Sequence, residues 1–217
     1  MSARRTEALI AAIAADARPV KPLAPPLRRS LATLGLLALA GGLAILLFAD
    51  IKGLLARYSG REEMMMPEMA AMLATGLLAV TGAFFLAIPG RSRRWLWAPL
   101  PPLIAWIGLS GMGCWRDLAR EGAAGWALGE SADCLVFILA ASVAIGAPLV
   151  WRLSRARPIE PLRVALLAGL GTAALAAFLL QFFHPFTVTF LDLGVHFAAV
   201  SIVIGAMALA NRRLLAR

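Results

Sequence analysis

Long apolar runs alternate along the chain with short segments that carry its charged residues. Six of these runs contain no charged residue over close to the ~20 residues that a helix needs to cross a ~30 Å hydrocarbon core. In lipid such runs must be helices, because every backbone N–H and C=O group needs an internal partner. The pattern therefore predicts an all-α fold, an integral membrane bundle of six transmembrane helices with one helix in each run. The runs are Ser30–Ala49, Met69–Gly90, Trp95–Trp115, Cys134–Trp151, Val164–Phe183 and Leu193–Ala210.

The first 29 residues form a separate segment, which we call the arm. Its first half consists mostly of good helix formers, and Leu9, Ile10 and Ile13 have the spacing of one helix face. The four prolines of its second half exclude helix and favour an extended, semi-rigid spacer. We therefore expect two parts: an arm at 1–29, made of a short cytoplasmic helix and a proline-rich spacer, and a transmembrane domain at 30–217.

The apolar stripe of the arm needs a surface, because an isolated helix of about 15 residues is marginal in water. Two surfaces are open to it, the membrane interface and a groove on a protein partner. The polar face carries Glu7 and Asp16, which makes it a poor basic face for lipid headgroups. This favours a protein partner.

The composition agrees with a membrane protein. The chain is 61% hydrophobic and 15% charged, whereas soluble domains are about half apolar and about a quarter charged. A net charge of +9 would ordinarily raise nucleic acid as a partner. Here the arginines lie in short connections between apolar runs, so we interpret them as topology signals and expect a lipid bilayer, and no direct nucleic acid, as a partner.

The basic residues predict the orientation of the bundle. Sixteen of the 21 Lys and Arg residues lie before the first run, between the second and third, between the fourth and fifth, or after the sixth. The positive-inside rule places these segments, and with them both termini, in the cytoplasm. Nine of the 12 acidic residues lie in the opposite connections, which agrees with that orientation.

Residues with metal-binding or redox chemistry concentrate at the predicted outer ends of the helices. Thiolate and imidazole ligands suit zinc, copper or cadmium, and two neighbouring thiols could instead form a disulfide in an oxidising periplasm. No cofactor is required by this pattern, but it suits transient binding of zinc or a heavier metal. The thiols are those of Cys114 and Cys134, and the candidate metal or polar cluster around them comprises Asp133, His184, Asp192 and His196.

Each of these residues also has a purely structural explanation. A cysteine at a helix end often serves as a small apolar filler. Asp192 and His196, four residues apart, could hydrogen-bond on one helix face. His184 with the proline after it could simply end a helix. Burying polar groups at membrane depth costs free energy, however, and this favours a functional role for these residues.

The sequence carries no Walker A loop, GxSxG elbow or HExxH motif, and no charged path through the helices. We therefore expect no enzyme. The alternative function is a small membrane transporter or thiol-redox enzyme that uses the external cysteines and histidines. A redox enzyme would need a second exchanging pair of thiols, and a permease would need ligands along a path, so both are weaker.

The layout resembles the NrsF-like anti-sigma factors, six-helix inner-membrane proteins that hold an extracytoplasmic-function sigma factor inactive. The resemblance rests on the arm from Thr6 to Val20, on Gly113-Cys114 and Asp133-Cys134, and on His184-Pro185 followed by Leu191–His196. It covers essentially the whole chain.

The resemblance implies a transcription regulator of the stress-response type in the bacterial inner membrane. The arm would sequester the cognate extracytoplasmic-function sigma factor, with contacts from Leu9, Ile10, Ile13, Pro19 and Val20. The periplasm-facing cysteines would sense metal or redox stress and release the sigma factor.

Overall fold

The computed structural model describes residues 3–16, 22–60, 65–122, 131–183 and 190–214. Over these residues the chain forms eight α-helices and one 3-10 turn, without a strand. The all-helical fold predicted from the apolar pattern is confirmed. The helices are α1 (Ala3–Ala15), α2 (Pro26–Phe48), α3 (Ile51–Gly60), α4 (Met65–Leu86), α5 (Leu100–Glu121), α6 (Ser131–Ser154), α7 (Pro161–Leu180) and α8 (Phe190–Leu214), and the 3-10 turn, Arg93–Leu96, precedes α5.

Five helices in the described part of the chain, α2, α4, α6, α7 and α8, are long and apolar enough to cross a membrane. The predicted count of six spans is therefore wrong, because the run Trp95–Trp115 does not provide the sixth. The run begins in the 3-10 turn, and α5 ends in the charged sequence Arg116–Glu121. The apolar part of α5, Leu100–Trp115, is about 24 Å long at ~1.5 Å per residue, short of the ~30 Å hydrocarbon core.

Prolines determine where several helices begin. α2 begins at Pro26, α7 begins at Pro161, and Pro101 lies in the first turn of α5. The backbone N–H groups of a first turn have no partner within the helix, so proline removes nothing there, and its fixed φ suits the helix. For this reason α2 begins four residues before the predicted run, inside the segment interpreted as spacer.

The short helix α3 was not predicted. It follows Asp50, whose Oδ1 accepts a hydrogen bond from the backbone N–H of Gly53 at 2.9 Å. An aspartate that bonds the third residue of a helix is a typical N-cap. Asp50, a single polar residue between two apolar stretches, was therefore the sequence signal for α3.

α4 and α7 form the centre of the bundle. Both are mostly buried, whereas α2 and α8 are largely exposed. Small residues on α7 allow its neighbours to approach closely: a Cβ atom on Gly171 would lie 3.0 Å from the backbone nitrogen of Val80, and one on Gly169 would lie 2.8 Å from the Cα of Ile204. Small residues at such positions let the backbones of apolar helices approach closely.

Two clusters of buried side chains mark the two ends of the bundle. Phe84, Leu153 and Val164 belong to one cluster, which joins the ends of α4 and α6 to the start of α7. We call this the arginine end, because the arginine-rich connections between α4 and α5 and between α6 and α7 adjoin it. Cys134 and Leu180 belong to the other cluster, which joins the starts of α6 and α8 to the end of α7. We call this the cysteine end.

α5 runs back along α4, although it is not among the candidate spans. Trp95 stacks on Phe85 with ring centroids 4.2 Å apart at the arginine end. Ser110 hydrogen-bonds to Glu68, near the start of α4, at the cysteine end. The chain therefore passes between the two ends six times in alternating directions, so α2 begins at the end where α8 finishes.

Candidate functional site

The predicted sigma-contact residues lie on an exposed helix. Every described side chain of α1, from Arg5 to Ala15, is exposed. Leu9, Ile10 and Ile13 are 55%, 61% and 64% exposed, so their apolar stripe is not buried against the bundle. Pro19 and Val20, the other two predicted contacts, lie outside the described residues.

Arg29 connects three helices at the arginine end. Its Nη2 donates a hydrogen bond to the carbonyl oxygen of Arg152 at 2.6 Å, and its guanidinium lies 5.2 Å from the ring centroid of Phe84. The first contact joins α2 to the last turn of α6, and the second joins α2 to α4. The Nη1 atom of Arg29 is buried without a hydrogen-bond partner. Because the arm continues directly into α2, this side chain fixes the place where the arm leaves the bundle.

A second polar contact joins the connection between α4 and α5 to the connection between α6 and α7. Glu160 accepts hydrogen bonds from Nη2 of Arg93 at 3.0 Å and from Nη1 of Arg163 at 2.5 Å. The side chains of Arg93 and Glu160 are 71% and 38% exposed, and ion pairs at such positions contribute at most about 1 kcal/mol. The bridge therefore orients the connections more than it stabilises them.

The two cysteines are buried thiols at the cysteine end. Cys134, 1% exposed, packs with Ile138, Ala176, Leu180 and Ala199 from three helices. This environment fits the interpretation of a small apolar filler.

Cys114 lies on α5 and is 4% exposed. α5 packs on α4 and α8, and α6, which carries Cys134, also packs on α8. The two predicted sensors thus lie on helices that share one neighbour.

The polar residues predicted around the cysteines separate into different environments. Asp133 is exposed, whereas Asp192 is 4% exposed. His196 Nδ1 donates to the carbonyl oxygen of Asp192 at 2.6 Å, so the histidine contacts the backbone of its own helix one turn earlier. His184 lies outside the described residues. Within the part of the chain that the structure describes, no group of three His, Cys, Asp or Glu side chains is placed to hold a metal ion.

Sequence reasoning missed a polar pair at this end. The Oγ of Ser110 on α5 donates a hydrogen bond to Oε1 of Glu68 on α4, and Ser110 is 9% exposed. Ser110 precedes Cys114 by one helical turn. Glu68 fell one residue before the predicted second run and Ser110 in the middle of the third. The detectable signal was an isolated carboxylate in the first turn of an otherwise apolar helix.

The comparisons with known proteins give one family. The model described as NrsF, negative regulator of sigma F, matches residues 13–216. The match includes the whole bundle and begins within α1, at Ile13. No curated protein and no solved structure matches the chain.

Proposed function

The chain belongs to the NrsF family of negative regulators of sigma F, and we propose that it is a membrane-bound anti-sigma factor acting on a sigma factor of the extracytoplasmic-function type. Family membership indicates a regulatory, non-enzymatic role and a sigma factor as the partner. The proposed mechanism adds three parts: capture by the arm, insertion in the inner membrane with both termini cytoplasmic, and release through the cysteine end.

The exposed stripe of α1 is the observation that supports capture by the arm. A helix of 13 residues is too short to be stable alone in water, and its three large apolar side chains are more than half exposed. An amphipathic helix of this kind binds a groove through apolar residues spaced three and four apart. Leu9, Ile10 and Ile13 are the proposed anchors, and Pro19 and Val20 are proposed as further contacts with the sigma factor.

The distribution of charge supports the proposed orientation. Arg29, Arg93, Arg152 and Arg163 adjoin the arginine end, and the positive-inside rule places such a group in the cytoplasm. The alternating passage of the helices brings the carboxy-terminal part of α8 to the same end. In this proposed orientation the arm lies in the cytoplasm, where a sigma factor is available.

Burial of the two thiols limits how a metal ion or an oxidant could reach them. Cys114 and Cys134 are 4% and 1% exposed, so a metal ion or oxidant reaches them only when the cysteine end opens. A ligand shifts such an equilibrium by its differential affinity for the open and closed forms. We propose that metal binding or oxidation stabilises the open form and thereby releases the sigma factor.

Deletion of the arm tests the proposed capture. A protein lacking Ser2–Val20 should still insert in the membrane but should leave the tagged cognate sigma factor in the soluble fraction. Two point variants refine the test: Ile13→Asp should weaken retention, and Glu7→Gln, which keeps all three apolar anchors, should not. Full retention by the deletion variant would remove the arm from the mechanism.

A further inference from the structure

A partly buried hydrogen bond joins Glu68 on α4 to Ser110 on α5, one turn before Cys114. We propose that Glu68 and Ser110 are positioning residues for the Cys114 thiol: their bond holds α5 against α4 and keeps the thiol shielded. This inference rests on the proposed role of Cys114 as a sensor. The hydrogen bond between Ser110 and Glu68 is the contact that has to break before the thiol is exposed.

The spacing on α5 places Ser110 and Cys114 on one face. Residues four apart lie one above the other on a helix, with Cβ atoms about 5–6 Å apart. Both side chains are buried, at 9% and 4% exposure, while Met112 and Trp115 on the other side of α5 are 47% and 67% exposed. The face that carries the hydroxyl and the thiol therefore points into the bundle.

The bond between Ser110 and Glu68 attaches this face of α5 to α4. A hydroxyl that donates to a carboxylate makes a charge-assisted hydrogen bond, which is stronger than a neutral one. Near this point α5 ends in a charged sequence and lacks the long apolar stretch of its neighbours, so less apolar surface holds its last turns in place. Loss of the bond should consequently let the last turns of α5 separate from α4.

α4 also connects this contact to the arginine end. Glu68 lies in its first turn, and Phe84, near its last turn, contacts the guanidinium of Arg29. α4, a central and mostly buried helix, thus runs from this contact to the residue that fixes the arm.

The test measures the reactivity of Cys114 in the full-length protein in membranes. With Cys134→Ser as background, the rate of alkylation by N-ethylmaleimide reports exposure of the remaining thiol. Ser110→Ala and Glu68→Ala should each raise that rate about tenfold, the change expected for loss of one hydrogen bond to a charged group. Ser110→Thr and Glu68→Gln retain a donor and an acceptor and should restore slow alkylation, which a general loss of packing would not explain.

Ser201→Ala is the matched control, because Ser201 is exposed and its hydroxyl bonds within its own helix, to the carbonyl of Phe197. Alkylation of Ser110→Ala and Glu68→Ala at the rate of this control would overturn the positioning role. The readout does not depend on the sigma factor. Normal induction by a protein with Cys114→Ser would refute the sensor role, whereas unchanged alkylation would refute only the positioning role.

Discussion

The Nη2 atom of Arg29 lies 2.6 Å from the carbonyl oxygen of Arg152, and this hydrogen bond joins the first turn of α2 to the last turn of α6. The carbonyl groups in the last turn of a helix lack partners within that helix, so a guanidinium is a favourable donor there. The same guanidinium lies over the ring of Phe84 on α4. One side chain thus joins three helices at the point where the arm ends and the bundle begins.

Replacement of Arg29 by alanine should destabilise the bundle. The change removes a charged hydrogen bond and a cation–π contact, offset in part by removal of the buried, unpartnered Nη1, so we expect a net loss of about 1–2 kcal/mol. Thermal unfolding in detergent measures the effect. Arg28→Ala is the control, because the side chain of Arg28 is exposed. Equal stability of the two variants would contradict the importance of the contact.

Gly171 should not tolerate a side chain. A Cβ atom there would lie 2.8 Å from Cγ2 and 3.0 Å from the backbone nitrogen of Val80, so α4 would have to move. We expect Gly171→Ala to cost about 1–3 kcal/mol as overpacking. Gly108→Ala on α5 meets no atom within 4 Å and should be neutral or stabilising, because alanine favours helix over glycine. Unfolding midpoints of the two variants in one detergent should differ in that order.

Thr172 should tolerate loss of its hydroxyl better than Thr75. Both side chains are fully buried, but Oγ1 of Thr172 has no hydrogen-bond partner, whereas that of Thr75 donates to the carbonyl oxygen of Ala71 at 2.7 Å. Removal of an unpartnered buried hydroxyl relieves a desolvation cost of about 1–3 kcal/mol. Thr172→Val should therefore raise the unfolding temperature, and Thr75→Val should leave it unchanged or lower it. A lower unfolding temperature for Thr172→Val than for Thr75→Val would refute this assignment.

Replacement of both cysteines should abolish induction if they are the sensors. A protein with Cys114→Ser and Cys134→Ser should fold, since serine is close in volume to cysteine and a helical serine hydroxyl can donate to the carbonyl oxygen one turn earlier. It should keep the sigma factor inactive under metal or oxidant stress. Expression of a sigma-dependent reporter, with and without the stress, measures the response. Induction equal to that of the unmodified protein would reduce both cysteines to packing residues.

Several features of the fold were predictable because they depend on local sequence. Apolar runs gave five helices that are long and apolar enough to cross a membrane, and proline positions account for the starts of α2 and α7. The helix of the arm was visible in the spacing of Leu9 and Ile13. The prediction of a sixth span was wrong because an uncharged run is not always one long helix: the run Trp95–Trp115 begins in the 3-10 turn, and only Leu100–Trp115 forms the apolar part of α5.

The sequence alone determined the all-helical fold, the family, the separation of basic from acidic connections and the identity of the cysteines as candidate sensors. Only the tertiary structure decided which residues meet. Arg29 and Arg152 are 123 positions apart, Glu68 and Ser110 are 42 apart, and no periodicity along the chain relates such pairs. The reason is physical: periodicity reports which face of a helix is apolar, while the partner of a polar side chain depends on how helices approach one another. That approach is set by close contacts such as Gly171 against Val80, which exist only in the packed bundle.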